Sequence, residues 1–220
     1  MRRRSGVRSK LIFVTMKTSD LLTFLGVATR HPRTVGAIAP SARALCRRLA
    51  QIVPSVRPST VVELGAGTGA VSDAIRQRLQ PGSRHIALEI DKEFATRLRR
   101  SRPDLEVINA DATSLGSILE DRGVHQVDAI VSGLPWSLFP PAQQRKILND
   151  VGWLLAPDAA FTTFAYLHAL QLSGARRLRR NLHESFDEVI TSRSVWWNAP
   201  PALTYVCRRP RQRAWRGARV

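Results

Sequence analysis

Cysteine is scarce. The two among 220 residues, Cys46 and Cys207, are too few and too far apart for a disulfide framework, and both are read as reduced thiols. Long apolar runs are missing as well: none approaches the roughly 20 residues of a membrane-spanning helix. Arg2-Arg3-Arg4 followed by Leu11-Ile12-Phe13-Val14 mimics a secretion signal. That apolar segment is too short, however, and no small-residue cleavage site follows it. The expectation is a cytoplasmic chain, with Met16 as a second candidate start. No internal repeat is visible, and no metal-ligand set is assigned. Acid is also in short supply, with 17 Asp and Glu against 34 Lys and Arg for a net charge of +17. The shortage is concentrated at the ends. Residues 1–35 hold eight basic residues against Asp20 alone, and residues 208–220 hold six arginines and no acid. Such ends seek a polyanion, either a nucleic acid or an anionic membrane surface. The plainer alternative is a solubilising tail.

The chain is long enough, and at 44% hydrophobic rich enough, for one α/β domain with trimmings. Residues 1–16 read as a basic flexible N-terminus, 17–57 as a helical extension, 58–208 as the domain and 209–220 as a basic tail. In the extension, Ser19 and Asp20 cap an amphipathic helix over 17–30, with Leu21, Leu22, Phe24, Leu25 and Ala28 mostly on one face. Ser41 is the expected N-cap of a second helix over about 42–53. From residue 60 onward, strands near 60–64, 85–89, 105–109, 127–132 and 159–165 alternate with helices near 68–79, 91–101, 114–121, 141–155 and 168–181. Two last strands fall near 186–196 and 202–208, as a hairpin closing the sheet edge. Strand–helix alternation implies a Rossmann-like, mostly parallel seven-stranded sheet with helices on both faces.

The most informative stretch is Val61-Val62-Glu63-Leu64-Gly65-Ala66-Gly67-Thr68-Gly69: a buried strand delivers a glycine-rich turn to a helix N-terminus. Gly65, Gly67 and Ala70 satisfy a dinucleotide fingerprint, and Glu89 stands about 20 residues on, where a ribose-binding acid belongs. Three features favour S-adenosylmethionine (SAM) instead. Glu63 lies just before the turn, where a carboxylate suits the ammonium and sulfonium of SAM and repels a pyrophosphate. Asp111, in Asn109-Ala110-Asp111-Ala112, ends the third strand and can accept from an adenine amine. A long helical segment precedes the first strand, whereas a dinucleotide domain commonly starts near it. A strand-end carboxylate and a helix N-cap are the structural alternatives for Glu63 and Asp111.

Glu63-x-Gly65-x-Gly67-x-Gly69, Glu89 and Asp111, at successive strand ends, resemble the class I SAM-dependent methyltransferases. The resemblance implies SAM as cofactor and S-adenosylhomocysteine as product. It implies a cofactor site of Glu63, Gly65, Ala66, Gly67, Gly69, Glu89, Ile90, Asp111, Ala112 and Ser132. Gly65 and Gly67 would admit the methionine part, Glu89 would hold the ribose hydroxyls and Asp111 the adenine.

The acceptor is read from Ser132-Gly133-Leu134-Pro135-Trp136-Ser137-Leu138-Phe139-Pro140. Methyltransferases acting on nucleobase amines carry a similar turn with a polar residue in place of Gly133, and an aromatic that stacks on the flipped base. Here the base-reading group is missing, although Ser132 partly substitutes. Thr34-Val35-Gly36-Ala37-Ile38-Ala39-Pro40-Ser41, Val131-Ser132-Gly133-Leu134-Pro135 and Val195-Trp196-x-Asn198-x-Pro200-Pro201-Ala202 resemble the soluble bacterial phospholipid N-methyltransferases. That resemblance implies methyl transfer to the amine of phosphatidylethanolamine or a related phospholipid, at the inner face of the membrane. Gly133, Leu134, Pro135, Trp136, Phe139 and Trp196 are the candidate substrate contacts. Trp136, Phe139, Tyr166 and Trp196 offer aromatic faces to a substituted ammonium, or belong to the core. Tyr166 and His31 are the side-chain candidates for removing the acceptor's proton, beside water and the lipid phosphate. Trp215 among the C-terminal arginines is a candidate headgroup anchor. An adenine methyltransferase of rRNA or tRNA, using the basic ends on phosphate, and a small-molecule methyltransferase remain the alternatives. The oligomeric state is not readable.

Overall fold

A computed structural model of the chain describes residues 40–192 and 200–211. The helix expected over 17–30, the 34–39 loop, His31, Val195, Trp196, Asn198 and Trp215 lie outside the described residues.

The central strand, β1 (Thr60–Leu64), explains the architecture. Val61, Val62, Glu63 and Leu64 are all fully buried, the pattern of a strand covered on both faces. Successive side chains point to opposite sides. Val61 joins a cluster with Leu45 and Leu49 of α1 (Pro40–Leu49) and Ala74 and Ile75 of α2 (Ala70–Arg76). Val62 and Leu64 join the main core on the other side. They meet Leu115 and Leu119 of α4 (Leu115–Glu120), Ile147 and Leu148 of α5 (Pro141–Leu154), and Leu178 of α6 (Ser173–Ser185). A third cluster packs Ala95 and Leu98 of α3 (Lys92–Ser101) on Ala87 and Val107.

Seven strands form one sheet in the order β3-β2-β1-β4-β5-β7-β6. They are β1, β2 (Arg84–Glu89), β3 (Glu106–Asn109), β4 (Val127–Ser132), β5 (Leu155–Tyr166), β6 (Phe186–Thr191) and β7 (Ala202–Pro210). The β1–β2, β2–β3, β1–β4 and β4–β5 pairs are parallel, while β7 runs antiparallel to both β5 and β6. The glycine loop after β1, Glu89 after β2, the Gly133 turn after β4 and Tyr166 at the end of β5 therefore share one rim. This is the carboxyl edge at which an open α/β sheet binds ligands. β7 starts at that rim and ends at the opposite edge, where Pro210 pairs with Phe186, the first residue of β6.

Local chemistry sets the helix starts. Asp91 caps α3 by accepting from the backbone N–H of Glu93 and Phe94 (2.9 and 3.0 Å). Pro141 opens α5, where a missing N–H costs nothing. Four expectations shift. The last two strands do form an antiparallel pair, but β7 is threaded between β5 and β6, leaving β6 as the edge. Helix α1 begins at Pro40, so Ser41 lies inside it. Helix α2 begins only at Ala70, because Gly69 before it is left-handed (φ 86°). Helix α6 begins at Ser173, since the chain leaves β5 through a 3-10 turn at Leu167–Ala169. Both thiols are free and buried.

Candidate active site

At the mouth of β1 the backbone peels off its neighbours. Gly65 N–H donates to Leu88 O and Gly133 N–H to Leu64 O, each at 2.8 Å. The loop then turns through Gly65, Gly67 and Gly69 with φ of 73°, 54° and 86°, values that disfavour any side chain. A Cβ on Gly65 would meet Leu134 Cδ2 at 2.9 Å, and one on Gly133 would meet Gly65 O at 2.8 Å. The glycine loop and the β4 turn thus touch backbone to backbone. Above Gly67 there is open space, with nothing within 4 Å of a notional Cβ. The exit of the loop is clamped by Arg102, whose guanidinium donates to both oxygens of Asp73 (2.8 Å each) and to Gly69 O (3.3 Å). A Cβ on Gly69 would fall into that guanidinium.

Glu89 and Glu63 behave differently. Glu89, at the end of β2, is aimed at the loop: its Oε2 accepts from Gly67 N–H at 2.7 Å and its Oε1 from Asp91 N–H at 2.9 Å. Asn109 steadies this corner by donating to Glu89 O and Ile90 O, both at 2.9 Å. Ile90 beside it is 66% exposed, whereas Ala66 and Ala112 are buried. Asp111 is exposed and caps the next turn through Thr113 N–H (2.7 Å). Glu63, expected to face a ligand, is instead sealed beneath the loop at 0% exposure. Its Oε2 lies 3.2 Å from His85 Nε2, and neither carboxylate oxygen accepts a hydrogen bond. Opposite charge on a ligand above the loop relieves such a buried carboxylate through space. The open floor at Gly67 and the inward acid Glu89, with the carboxylate of Glu63 left without a hydrogen bond, fit a cofactor that carries a sugar diol and amine groups.

The β4 turn is locked. Ser132 Oγ is buried and accepts from Trp136 Nε1 (3.0 Å) and Leu134 N–H (3.3 Å), so it is committed within the turn. Trp136 is a correction to the expected aromatic platform. At 2% exposure it is a core residue, edge-on to Phe139 (5.9 Å) and Phe161 (6.1 Å), with no face open to a ligand. Phe139, Leu134 and Pro135 remain half-buried around it. Beneath the turn, the fully buried Gln144 of α5 donates to Trp136 O (2.6 Å) and Gly174 O (3.1 Å) and accepts from Asn181 (3.3 Å). Gly174 is required there, since a Cβ would collide with Ser137 O.

Tyr166 packs edge-on to Phe164 at 5.1 Å and stacks on His168 at 5.6 Å. Burial, with the Cys46 thiol of α1 nearby, raises the affinity of its phenol for its proton. The phenol therefore stays protonated near neutral pH, which corrects its assignment as the base. His31 and Trp196 lie outside the described residues. Sequence reasoning missed His85, Arg102, Asn109, Gln144 and His168. Only His85 left a signal, its same-face diagonal to Glu63 in the β1–β2 register.

Comparison with known proteins identifies the family and the fold. A family model described as a methyltransferase domain matches residues 61–158. Ornithine lipid N-methyltransferase of Singulisphaera acidiphila is 34% identical over 86% of this chain and 96% of its own length. Ribosomal RNA small subunit methyltransferase A of Thermotoga petrophila is 29% identical over 60% of this chain, which spans about half (48%) of that protein. Among solved structures, N-methyltransferase NodS of Bradyrhizobium japonicum, bound to S-adenosylhomocysteine, superposes with a TM-score of 0.60 at 16% identity. That match covers 78% of this chain and 88% of NodS. A Burkholderia thailandensis 1,6-didemethyltoxoflavin-N1-methyltransferase gives 0.57 at 20% identity, covering 87% and 88%.

Proposed function

The chain belongs to the SAM-dependent methyltransferases, and from that premise we propose that its acceptor is the amine of a membrane lipid, phosphatidylethanolamine or a related aminolipid. The observation that carries this reading is the backbone contact between Gly133 and Gly65. An adenine-reading side chain at Gly133 would drive into Gly65 O, so the turn is built without one. The likeness to a protein named for lipid N-methylation, over nearly the whole of both chains, supports the same choice. When bound, SAM supplies a methyl carbon on a sulfonium, and the carbon–sulfur bond breaks onto sulfur as the new carbon–nitrogen bond forms.

The chain's own residues bind and orient. Gly65 and Gly67 admit the methionine part over the open loop, and the buried charge of Glu63 favours its cationic groups. Glu89 holds the ribose hydroxyls with the lone pairs left by Gly67 and Asp91. Ile90 offers an exposed apolar surface to the adenine face, and Asp111 an acceptor at its edge. Leu134, Pro135 and Phe139 border the acceptor side. Positioning of the amine supplies much of the acceleration. Among the described residues no helix is long and apolar enough to cross a membrane. The basic ends of the sequence hold the protein on an anionic surface, each cation there contributing about 1 kcal/mol.

Adenine methylation in ribosomal RNA is the second reading, favoured by the likeness to an rRNA methyltransferase and opposed by Gly133. The test uses labelled SAM and three acceptors at matched salt: anionic vesicles with phosphatidylethanolamine, the same vesicles with ornithine lipid, and rRNA. Label in either lipid supports the proposal and the two vesicle arms distinguish the headgroup. Label in rRNA alone overturns it.

A further inference from the structure

We propose that His168 takes the proton from the acceptor's ammonium. The step rests on the aminolipid reading above. The nitrogen–hydrogen bond breaks, its electron pair stays on nitrogen for methylation, and the proton passes to the imidazole and then to water.

The geometry comes from the end of β5. Val131 pairs with Thr162, and Thr163 Oγ1 donates to Ser132 O at 3.3 Å, so Thr163 is level with the end of β4. β5 continues past that level to Tyr166, an overhang of about 10 Å at the rise of a strand. The 3-10 turn that follows is fastened: Leu167 N–H donates to Pro201 O at 2.9 Å, Ala169 is buried, and Leu167 and Leu170 pack on the main core. Between these anchors His168 is held outward on the rim, exposed and stacked at 15° on the ring of Tyr166.

Elimination then singles it out. A proton acceptor for the amine must stand at this rim with an uncommitted lone pair. Ser132 accepts from Trp136 and Leu134, Thr162 and Thr163 are fully buried with their hydroxyls turned onto Tyr205 O and Ser132 O, and Gln144 is spent on Trp136, Gly174 and Asn181. Tyr166 keeps its proton. Among the described titratable side chains at the ends of β4 and β5 the imidazole is left, since Glu89 and Asp111 stand at the ends of β2 and β3, on the cofactor side. Partial desolvation of the ring holds its basicity below the ordinary value of about 6.5, with no charged side chain contributing. Its ring partner is the Tyr166 phenol, which lies near the Cys46 thiol of α1; both are pushed toward their protonated, neutral forms. His168 is therefore neutral and able to accept at pH 7, and the face of Tyr166 favours the imidazolium that forms.

The sign of the pH dependence follows. Activity is lost as pH falls through the lowered imidazole value, so kcat/KM for the lipid, at saturating SAM, carries an acid limb below about pH 6.5. His168→Gln should lower kcat on phosphatidylethanolamine vesicles about 100-fold and remove that limb. Its SAM Kd, read by calorimetry, should be unchanged, which also reports that the variant is folded. Tyr166→Phe should lose rate but keep the limb. An independent readout follows the His168 imidazole by NMR during titration with phosphoethanolamine, whose binding should shift its resonance. Wild-type rate with an intact acid limb in His168→Gln overturns the proposal, as does a native profile flat from pH 5 to 8. Absence of lipid methylation by the native protein instead defeats the aminolipid reading, and the same profile is then taken on the acceptor that is methylated.

Discussion

The glycine loop and the Gly133 turn lie against each other at the rim, yet they are held by opposite means. The loop is fixed by charged side chains: the buried Glu89 accepts from Gly67 N–H, and the partly exposed Arg102 binds Asp73 and Gly69 O. The turn is fixed from below by neutral groups sealed in the core: Gln144, Asn181, Trp136 and Ser132. A carboxylate that spends one acceptor position of each oxygen on the backbone keeps others for a ligand's groups. A sealed neutral network has none to offer, because any lost hydrogen bond leaves a buried polar atom bare. The cofactor half is thus built to engage and release, and the acceptor half to keep its shape.

The contact between the halves is where this contrast breaks first. Gly133→Asn forces a side chain onto Gly65 O, and overpacking against backbone costs about 3 kcal/mol. Both unfolding free energy and SAM affinity should fall, which chemical denaturation and calorimetry would read together. Gln144→Leu strands Trp136 O, Gly174 O and Asn181, for a loss of about 2–3 kcal/mol in stability. Its SAM Kd should stay near the native value while kcat/KM for the acceptor falls; an equal loss in SAM binding would show the halves to be one unit.

Glu89→Ala acts on the cofactor half. Removing an acceptor from two backbone donors costs about 2 kcal/mol in stability, and SAM Kd rises as well, because the loop loses its anchor and the ribose its acceptor. Arg102→Met removes a partly exposed pair worth about 1 kcal/mol, and SAM Kd rises several-fold. The smallest effect concerns the thiols. Burial pushes Cys46 up to about 11 and Cys207 higher still. Neither should react with a thiol reagent at pH 8 until denaturant is added.

The same division governs what the sequence could reveal. The loop, its flanking acids and the strand that delivers them are nearly contiguous, and their chemistry is visible in residue type and spacing. Glu89 stood where expected because one helix separates β2 from β1. Trp136 misled because its burial is decided by α5 and α6, through Gln144 eight residues on and Gly174 further still, where no local pattern points. β7 misled for a related reason. A hairpin is legible as two adjacent strands, but pairing with both β5 and β6 is a choice made by the whole sheet. His168 carried no motif at all; its meaning came from the commitments of its neighbours. Glu63 was noticed, but its burial under the loop depends on α1 and α2 closing that face.

The antiparallel course of β7 gives the molecule poles. Ala202 begins the strand at the rim, and Pro210 ends it on the far edge, where Arg211 is fastened to Ser185 O and Asp187. At strand rise these ends are roughly 27 Å apart. The arginines that follow Arg211 in the sequence therefore set out from the pole opposite the chemistry. The direction of one strand turns a total charge into an orientation.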